Sequence, residues 1–238
     1  MGRRWPRTVA VVVVVLAGLC TAADRIAVHY AESEATQLVR QKYGYGAGTT
    51  DGFTDVSIHG FPFLTQAAGR ELDHVTLTAG NFTLNTAANA QGDYLNVAKL
   101  SLDLHDVKMT SLSARTAEAN LVTGDLTLSY EDLSGVLTRL MGNGGALTVG
   151  PAPGSDGQQA RVSVTGTWDG RPLETTATLT AQGEDIVVSV PGIGRTSYDW
   201  RVDLPQNAGF DTARSTPTGV DLALIGHQVV LGASSRGR

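Results

Sequence analysis

The chain has 238 residues, 42% of them hydrophobic but only 6% aromatic, which is enough apolar material for one large domain with a core of small and aliphatic side chains. Residues 1–23 hold three of the 18 basic residues and none of the 23 acidic ones, so the remainder carries a formal charge of −8, a poor match to nucleic acid. The only cysteine, Cys20, also lies in that segment, which excludes disulfides, Cys-ligated zinc and thiol catalysis from everything after it.

Arg3, Arg4 and Arg7 precede an apolar run over residues 8–23. At about 1.5 Å per helical residue the run spans roughly 24 Å, short of a comfortable bilayer crossing. It reads as a signal peptide or a membrane anchor, with Thr21-Ala22-Ala23 as a cleavage site before Asp24, and the rest as exported. Leu19 before Cys20 departs from the small residue that a lipoprotein signal wants. From Asp24, a plausible N-cap, to Tyr43 the spacing of Val28, Ala31, Ala35, Leu38 and Val39 predicts a helix, which the glycines of 44–48 end.

A short strand, Asp55 to Ile58, leads into His59-Gly60-Phe61-Pro62-Phe63-Leu64-Thr65-Gln66. Gly60 breaks the alternation, Pro62 forces Phe61 to be extended and can open a helical turn, and Gly69 can close that turn with a positive φ. Two readings of the corner stand side by side: an aromatic plug in one end of a β core, or an apolar lip that touches acyl chains or a membrane surface.

Strands follow at 72–79, 94–109, 117–122 and 125–130, the second long enough to require a bulge or bend. Leu133, Val136, Leu137 and Leu140 then switch to helical spacing over 130–140, a helix that the glycines of 142–145 stop. Strands resume at 146–149, 161–168, 173–180 and 186–190, with Asp169-Gly170 as a hairpin turn and 151–157 as an exposed loop. Residues 191–217 read as irregular apart from a strand within 197–204, and a strand pair at 219–225 and 227–231 closes a single domain over 24–232 before the tail 233–238. The fold class is α+β: an antiparallel sheet in which strands greatly outnumber the N-terminal helix and a second short one.

Catalytic signatures are missing from the sequence. The five histidines stand alone with no metal-ligand spacing, no Gly-x-Ser-x-Gly elbow or Ser-x-x-Lys occurs, and the acid pairs Glu131-Asp132 and Glu184-Asp185 suit a helix start and a turn. Asn81-Phe82-Thr83 fits a glycosylation sequon, a match that arises often by chance. No catalytic residue, metal or cofactor is expected. A strand-rich chain with few aromatics leaves an apolar face underfilled, and fatty-acyl chains suit such a groove because they need little directional bonding.

The run Val56-Ser57-Ile58-His59-Gly60-Phe61-Pro62-Phe63-Leu64-Thr65-Gln66, with Gly69 and a strand around Val75, resembles the signature of the actinobacterial LmeA-type phospholipid-binding family. The order of elements is similar over residues 9–232, including the Tyr130-Glu131-Asp132-Leu133 helix and the closing strands at Gly219-Val220. The resemblance implies a cell-envelope protein on the outer side of the cytoplasmic membrane. It also implies a fold like one unit of the tubular lipid-binding proteins, in which a long curved antiparallel sheet wraps around a helix. On matched positions it places Phe61, Phe63 and Leu64 at an elongated apolar groove or its rim, with Leu133 and Leu137 lining or closing it. The partners it implies are phospholipid acyl chains and the membrane surface. The alternatives are a structural or interaction protein of the envelope with a solidly packed core and, after that, an exported glycan-modifying enzyme.

Overall fold

The computed structural model describes residues 5–43, 52–84, 95–111, 113, 116–140, 145–154, 158–192, 197–202 and 204–231. The 44–48 link, the glycines 142–144, the end of the 151–157 loop and the tail lie outside the described residues. In chain order the elements are α1 (Trp5–Tyr43), β1 (Phe53–His59), α2 (Phe63–Gly69), β2 (Glu71–Leu84), β3 (Leu95–Ser111), β4 (Thr116–Ser129) and α3 (Tyr130–Leu140). Then come β5 (Ala146–Pro151), β6 (Gln159–Trp168), β7 (Arg171–Gln182), β8 (Asp185–Ser189), β9 (Ser197–Arg201), β10 (Ala208–Ser215) and β11 (Gly219–Leu231).

The α+β class holds, with three helices and eleven strands among the described residues, all the pairings there being antiparallel. The strands divide between two open sheets, a six-stranded one in the order β1-β2-β3-β4-β11-β10 and a five-stranded one in the order β5-β6-β7-β8-β9. A reciprocal pair of backbone hydrogen bonds between Gly183 and Phe210 (3.0 and 2.7 Å) ties the β7–β8 turn to β10 and so joins the sheets. The stretch 191–217, expected to be largely irregular, contains β9 and the whole of β10.

Two expected breaks between strands, at 123–124 and at 226, are strand interiors. Gly124 sits within β4, paired with Leu102 on one side and Leu224 on the other, and Gly226 sits within β11, paired with Val122. Each glycine answers to crowding. A Cβ on Gly124 would lie 2.3 Å from the Ser101 carbonyl oxygen, and one on Gly226 would lie 2.8 Å from that of Asn207.

The bend expected in the long strand takes the form of changes of face. Along β2 the core-facing residues are Leu72, then Val75, Leu77 and Ala79, then Phe82; along β3 they are Leu95 and Val97, then Leu100, Leu102 and Leu104, then Val107. A strand that keeps strict alternation cannot do this. Asn81, Asp106 and Gln228, all with φ between 51° and 52°, supply the irregularities at which the alternation slips.

A helix covers one edge strand of each sheet, β1 and β5, by a shared device. Ile58 N–H donates to Glu32 Oε1 (2.8 Å) and Val56 N–H to Thr36 Oγ1 (3.2 Å), so α1 runs antiparallel to β1 and fills its unpaired donors. On the second sheet Val149 N–H donates to Ser134 Oγ (2.8 Å) and Leu147 N–H to Thr138 Oγ1 (3.1 Å), so α3 does the same for β5. Ser129 caps α3 by accepting the Asp132 N–H at 3.0 Å, and the Tyr130 hydroxyl donates to the Thr216 carbonyl at 2.6 Å. Beneath that cap Leu133, Val136 and Leu137 are buried against the core.

We expect Thr36→Val and Ser134→Ala each to lower stability by about 1–2 kcal/mol, because each strands a partly buried backbone donor at a sheet edge. Urea melts should show a lower midpoint with an unchanged slope. A midpoint within error of the parent would show that water replaces the side chain at no cost.

Candidate lipid site

The corner after β1 is assembled from three elements. Gly60 takes φ 107°, a cis peptide joins Phe61 to Pro62, and α2 begins at Phe63. Asp24, expected to cap its own helix, lies instead inside the continuous α1, and its Oδ1 accepts the Leu64 N–H at 2.8 Å. It thus serves the first turn of the neighbouring helix, where unpaired donors and the helix dipole both favour a carboxylate. Gln66 Oε1 accepts the Asp73 N–H at 3.0 Å, tying α2 to β2. The left-handed residue that closes α2 is Arg70 (φ 59°), one position beyond the expected Gly69.

This construction separates the two phenylalanines. Phe63 is buried in the core, whereas Phe61 is 57% exposed and Leu64 47% exposed, with the Arg25 guanidinium 5.6 Å from the centre of the Phe61 ring. Val14, Val15 and Leu19 on α1 are also exposed, and Asp24 is the first buried residue after them. Phe61 and Leu64 therefore stand at the root of an apolar helical segment that extends past the sheet.

Beside the corner lies an apolar floor. In register across the first sheet run Val56, Leu77, Leu102, Gly124 and Leu224, flanked by the row Ile58, Val75, Leu104 and Val122 and by the row Ala79, Leu100, Leu126 and Leu222. Most of these side chains are buried, but Ile58, Val75, Leu77 and Leu102 are only half-buried and form one contiguous patch. Gly124 gives Leu102 the space to lie over β4, since a Cβ there would sit 2.6 Å from Leu102 Cδ2.

Leu133 and Leu137 belong to the other end of this floor. Asp132, at the start of α3, accepts a hydrogen bond from the Asn96 side chain at 3.0 Å, whereas the corner adjoins the row that contains Leu104. Eight residues of β3 at about 3.3 Å each put the two ends roughly 26 Å apart. Phe61 and Leu64 thus form one surface group, Phe63 lies beneath it, and Leu133 and Leu137 are core residues at the far end.

Leu77 and Leu102 stand out only once register and burial are known. The same is true of a row of histidines on the opposite, polar face, where His59, His74 and His105 are cross-strand neighbours. A cleft of about 450 Å³ lies at the Asp106 bend, lined by Glu71, Asp73, Asp106 and Glu118 among others, which is the wrong chemistry for an acyl chain. Among the described residues no group of three or more His, Cys, Asp or Glu is placed to hold a metal, and no helix is long and apolar enough to cross a membrane.

Position on the floor sets the expected cost of substitution. Leu137→Ala should destabilise by about 2–5 kcal/mol, while Phe61→Ala should stay within about 0.5 kcal/mol of the parent, measured by chemical denaturation. Equal losses at both sites would mean that Phe61 is packed and not a surface residue.

No curated protein and no solved structure matches the chain. The family model described as LmeA-like phospholipid-binding matches residues 22–225, from the root of the protruding helical segment to β11, and so spans the corner, the floor and α3. The chain belongs to the LmeA-like phospholipid-binding family.

Proposed function

We propose that the protein binds phospholipid with an acyl chain laid along the half-buried floor of Ile58, Val75, Leu77 and Leu102, and that it does so without catalysis. The observation that carries this reading is a contiguous apolar patch left partly open in a sheet that is otherwise packed. Covering the four half-buried side chains recovers on the order of 4 kcal/mol, and each guest methylene adds about 0.8 kcal/mol. The length of the guest therefore dominates, which selects long acyl chains over short apolar ligands. An acyl chain needs about half of a roughly 30 Å bilayer core, and the half-buried patch, about 7 Å along the strands and about 10 Å across three of them, receives the first part of it.

Phe61 and Leu64 form the lip by which lipid passes between floor and bilayer, with Arg25 placed for a head-group phosphate. The protein is exported and works at the outer side of the cytoplasmic membrane, where it shuttles lipid. Residues 8–23 serve export as a signal peptide or stay attached as a membrane anchor, the two readings that the apolar run and the Thr21-Ala22-Ala23 site allow. A mature mass that begins at Asp24 would overturn the anchor and leave lipid binding untouched.

Native mass spectrometry of protein purified from membranes should show bound phospholipid. Leu77→Ser with Leu102→Ser should cut occupancy at least about tenfold, by loss of roughly 1.4 kcal/mol or more of apolar contact. Phe61→Ala should keep occupancy but slow transfer between liposomes. Absence of co-purifying lipid together with absence of transfer would return the protein to a packed structural role.

A further inference from the structure

The outward face of α1 carries apolar side chains that the packing of the domain does not use. At about 3.6 residues per turn Asp24, Val28 and Ala31 share one face. Asp24 and Val28 are buried, and Ala27 and Ala31 pack against the core. The opposite face reads Val15, Leu19, Ile26 and Tyr30, all exposed, with Ile26 at 72% and Tyr30 at 74%. The same face continues through Ser33 and Gln37, which are exposed too. The outward stripe is therefore apolar up to Tyr30 and polar beyond it.

Ile26 and Tyr30 stand at the level of the corner, on the other side of the helix. The Leu64 N–H donates to Asp24, and the Phe61 ring lies by Arg25, one residue and about 100° further round α1. Ile26 follows about 100° beyond Arg25, with Tyr30 one turn above it. Four large exposed apolar side chains thus surround the helix between Asp24 and Tyr30, a rise of about 9 Å. Helical side chains lean toward the N-terminus, which brings the Tyr30 ring down toward Ile26. Single exposed apolar residues are ordinary on any protein surface. A girdle with an apolar run on one side and polar residues on the other is the order met across a membrane interface. The ionisable neighbours fit that order: Asp24 is buried with Oδ1 on the Leu64 N–H, and exposed Arg25 has a long stem that keeps its head in the polar layer.

We infer that Ile26 and Tyr30 complete, with Phe61 and Leu64, an apolar collar that seats the domain in the head-group layer of a phospholipid bilayer. That layer is roughly 5–8 Å deep on each side of the hydrocarbon core, close to the height of the collar. A tyrosine suits its outer edge, because the ring is apolar and the hydroxyl stays wet. The attraction is apolar and needs no anionic lipid, which matters for a chain of net charge −5. A collar on all sides of the helix also fixes the height of the corner above the acyl chains, which a lip on one side alone does not. Ile26 and Tyr30 lie past Ala23, so the seat belongs to the domain whichever fate residues 8–23 meet. The inference rests on the reading of Phe61 and Leu64 as the bilayer-facing lip.

Iodide quenching of single fluorescent labels tests it, in the full chain reconstituted in phosphatidylcholine liposomes with Cys20→Ser as the background. Labels on Ile26→Cys, Tyr30→Cys and Phe61→Cys should be shielded from iodide. A label on Gln37→Cys, two turns beyond Tyr30 on the same face, should be quenched as readily as free dye. Ile26→Ser with Tyr30→Ser should slow lipid transfer between liposomes and leave the denaturation midpoint at the parent's value, since both side chains are exposed. A Tyr30 label quenched as readily as the Gln37 label overturns the inference, as does transfer at the parent's rate in the Ser variant. With the Tyr30 label quenched, a shielded Phe61 label leaves the lip reading standing, whereas a quenched one removes both. Shielding at Tyr30 that rises with protein concentration at fixed lipid would assign the face to a second copy of the chain and overturn the inference as well.

Discussion

The molecule depends on a match of two repeats. Four residues of helix advance about 6.0 Å and two residues of strand about 6.6 Å, so side chains four apart on a helix meet alternate N–H groups of a strand lying antiparallel beside it. Glu32 and Thr36 use this match against Ile58 and Val56, and Ser134 and Thr138 use it against Val149 and Leu147. An open sheet edge invites pairing with another chain, and each helix removes that hazard at one edge, β1 of the first sheet and β5 of the second. The placement has a second consequence. A helix held at an edge does not lie over the middle of the sheet, and the side chains left half-covered are those of the floor, Leu77 and Leu102 among them.

Shape follows from the bends. With strict alternation, Leu72 and Phe82 would lie on the face opposite Val75, Leu77 and Ala79; the left-handed residues Asn81, Asp106 and Gln228 are where the alternation slips, and both groups are buried or half-buried in one core. One sheet can then change its direction of curvature along its strands without losing register. The cleft at Asp106 is a by-product of that bend, and its acidic lining separates it from the apolar site.

What the sequence discloses follows the range of each interaction. The period change at 130–140, the Phe61–Gln66 corner and the long strand at 94–109 rest on neighbours within a few residues, and all three appear where expected. Gly124 and Gly226 were misleading for a physical reason: glycine signals a turn in isolation, but here it serves a close approach from a strand far off in sequence. Asp24 has a capping side chain beside a helix, yet the backbone N–H it caps, that of Leu64, lies forty residues on. The site divides in the same way. Phe61 and Leu64 announce themselves by type, whereas Leu77 and Leu102 acquire meaning only from strand register, which no single segment encodes.

The two ends of the floor are built for different purposes, and this decides how a guest could enter. At the α3 end Leu133, Val136 and Leu137 are buried, Ser129 caps the helix, and Tyr130 fastens it to the chain after β10, so opening that end would break several contacts at once. At the corner a single short helix, α2, is held by Asp24 and Gln66, and Phe61, just before it, and Leu64 in its first turn already meet solvent. Sub-global opening selects the region with the fewest buried contacts. The corner meets that description, and it is also the end from which the apolar segment of α1 departs. A lipid entering there would replace water on Phe61, Leu64 and then Ile58 and Val75 before reaching Leu102, and each step would exchange exposed apolar surface for apolar contact.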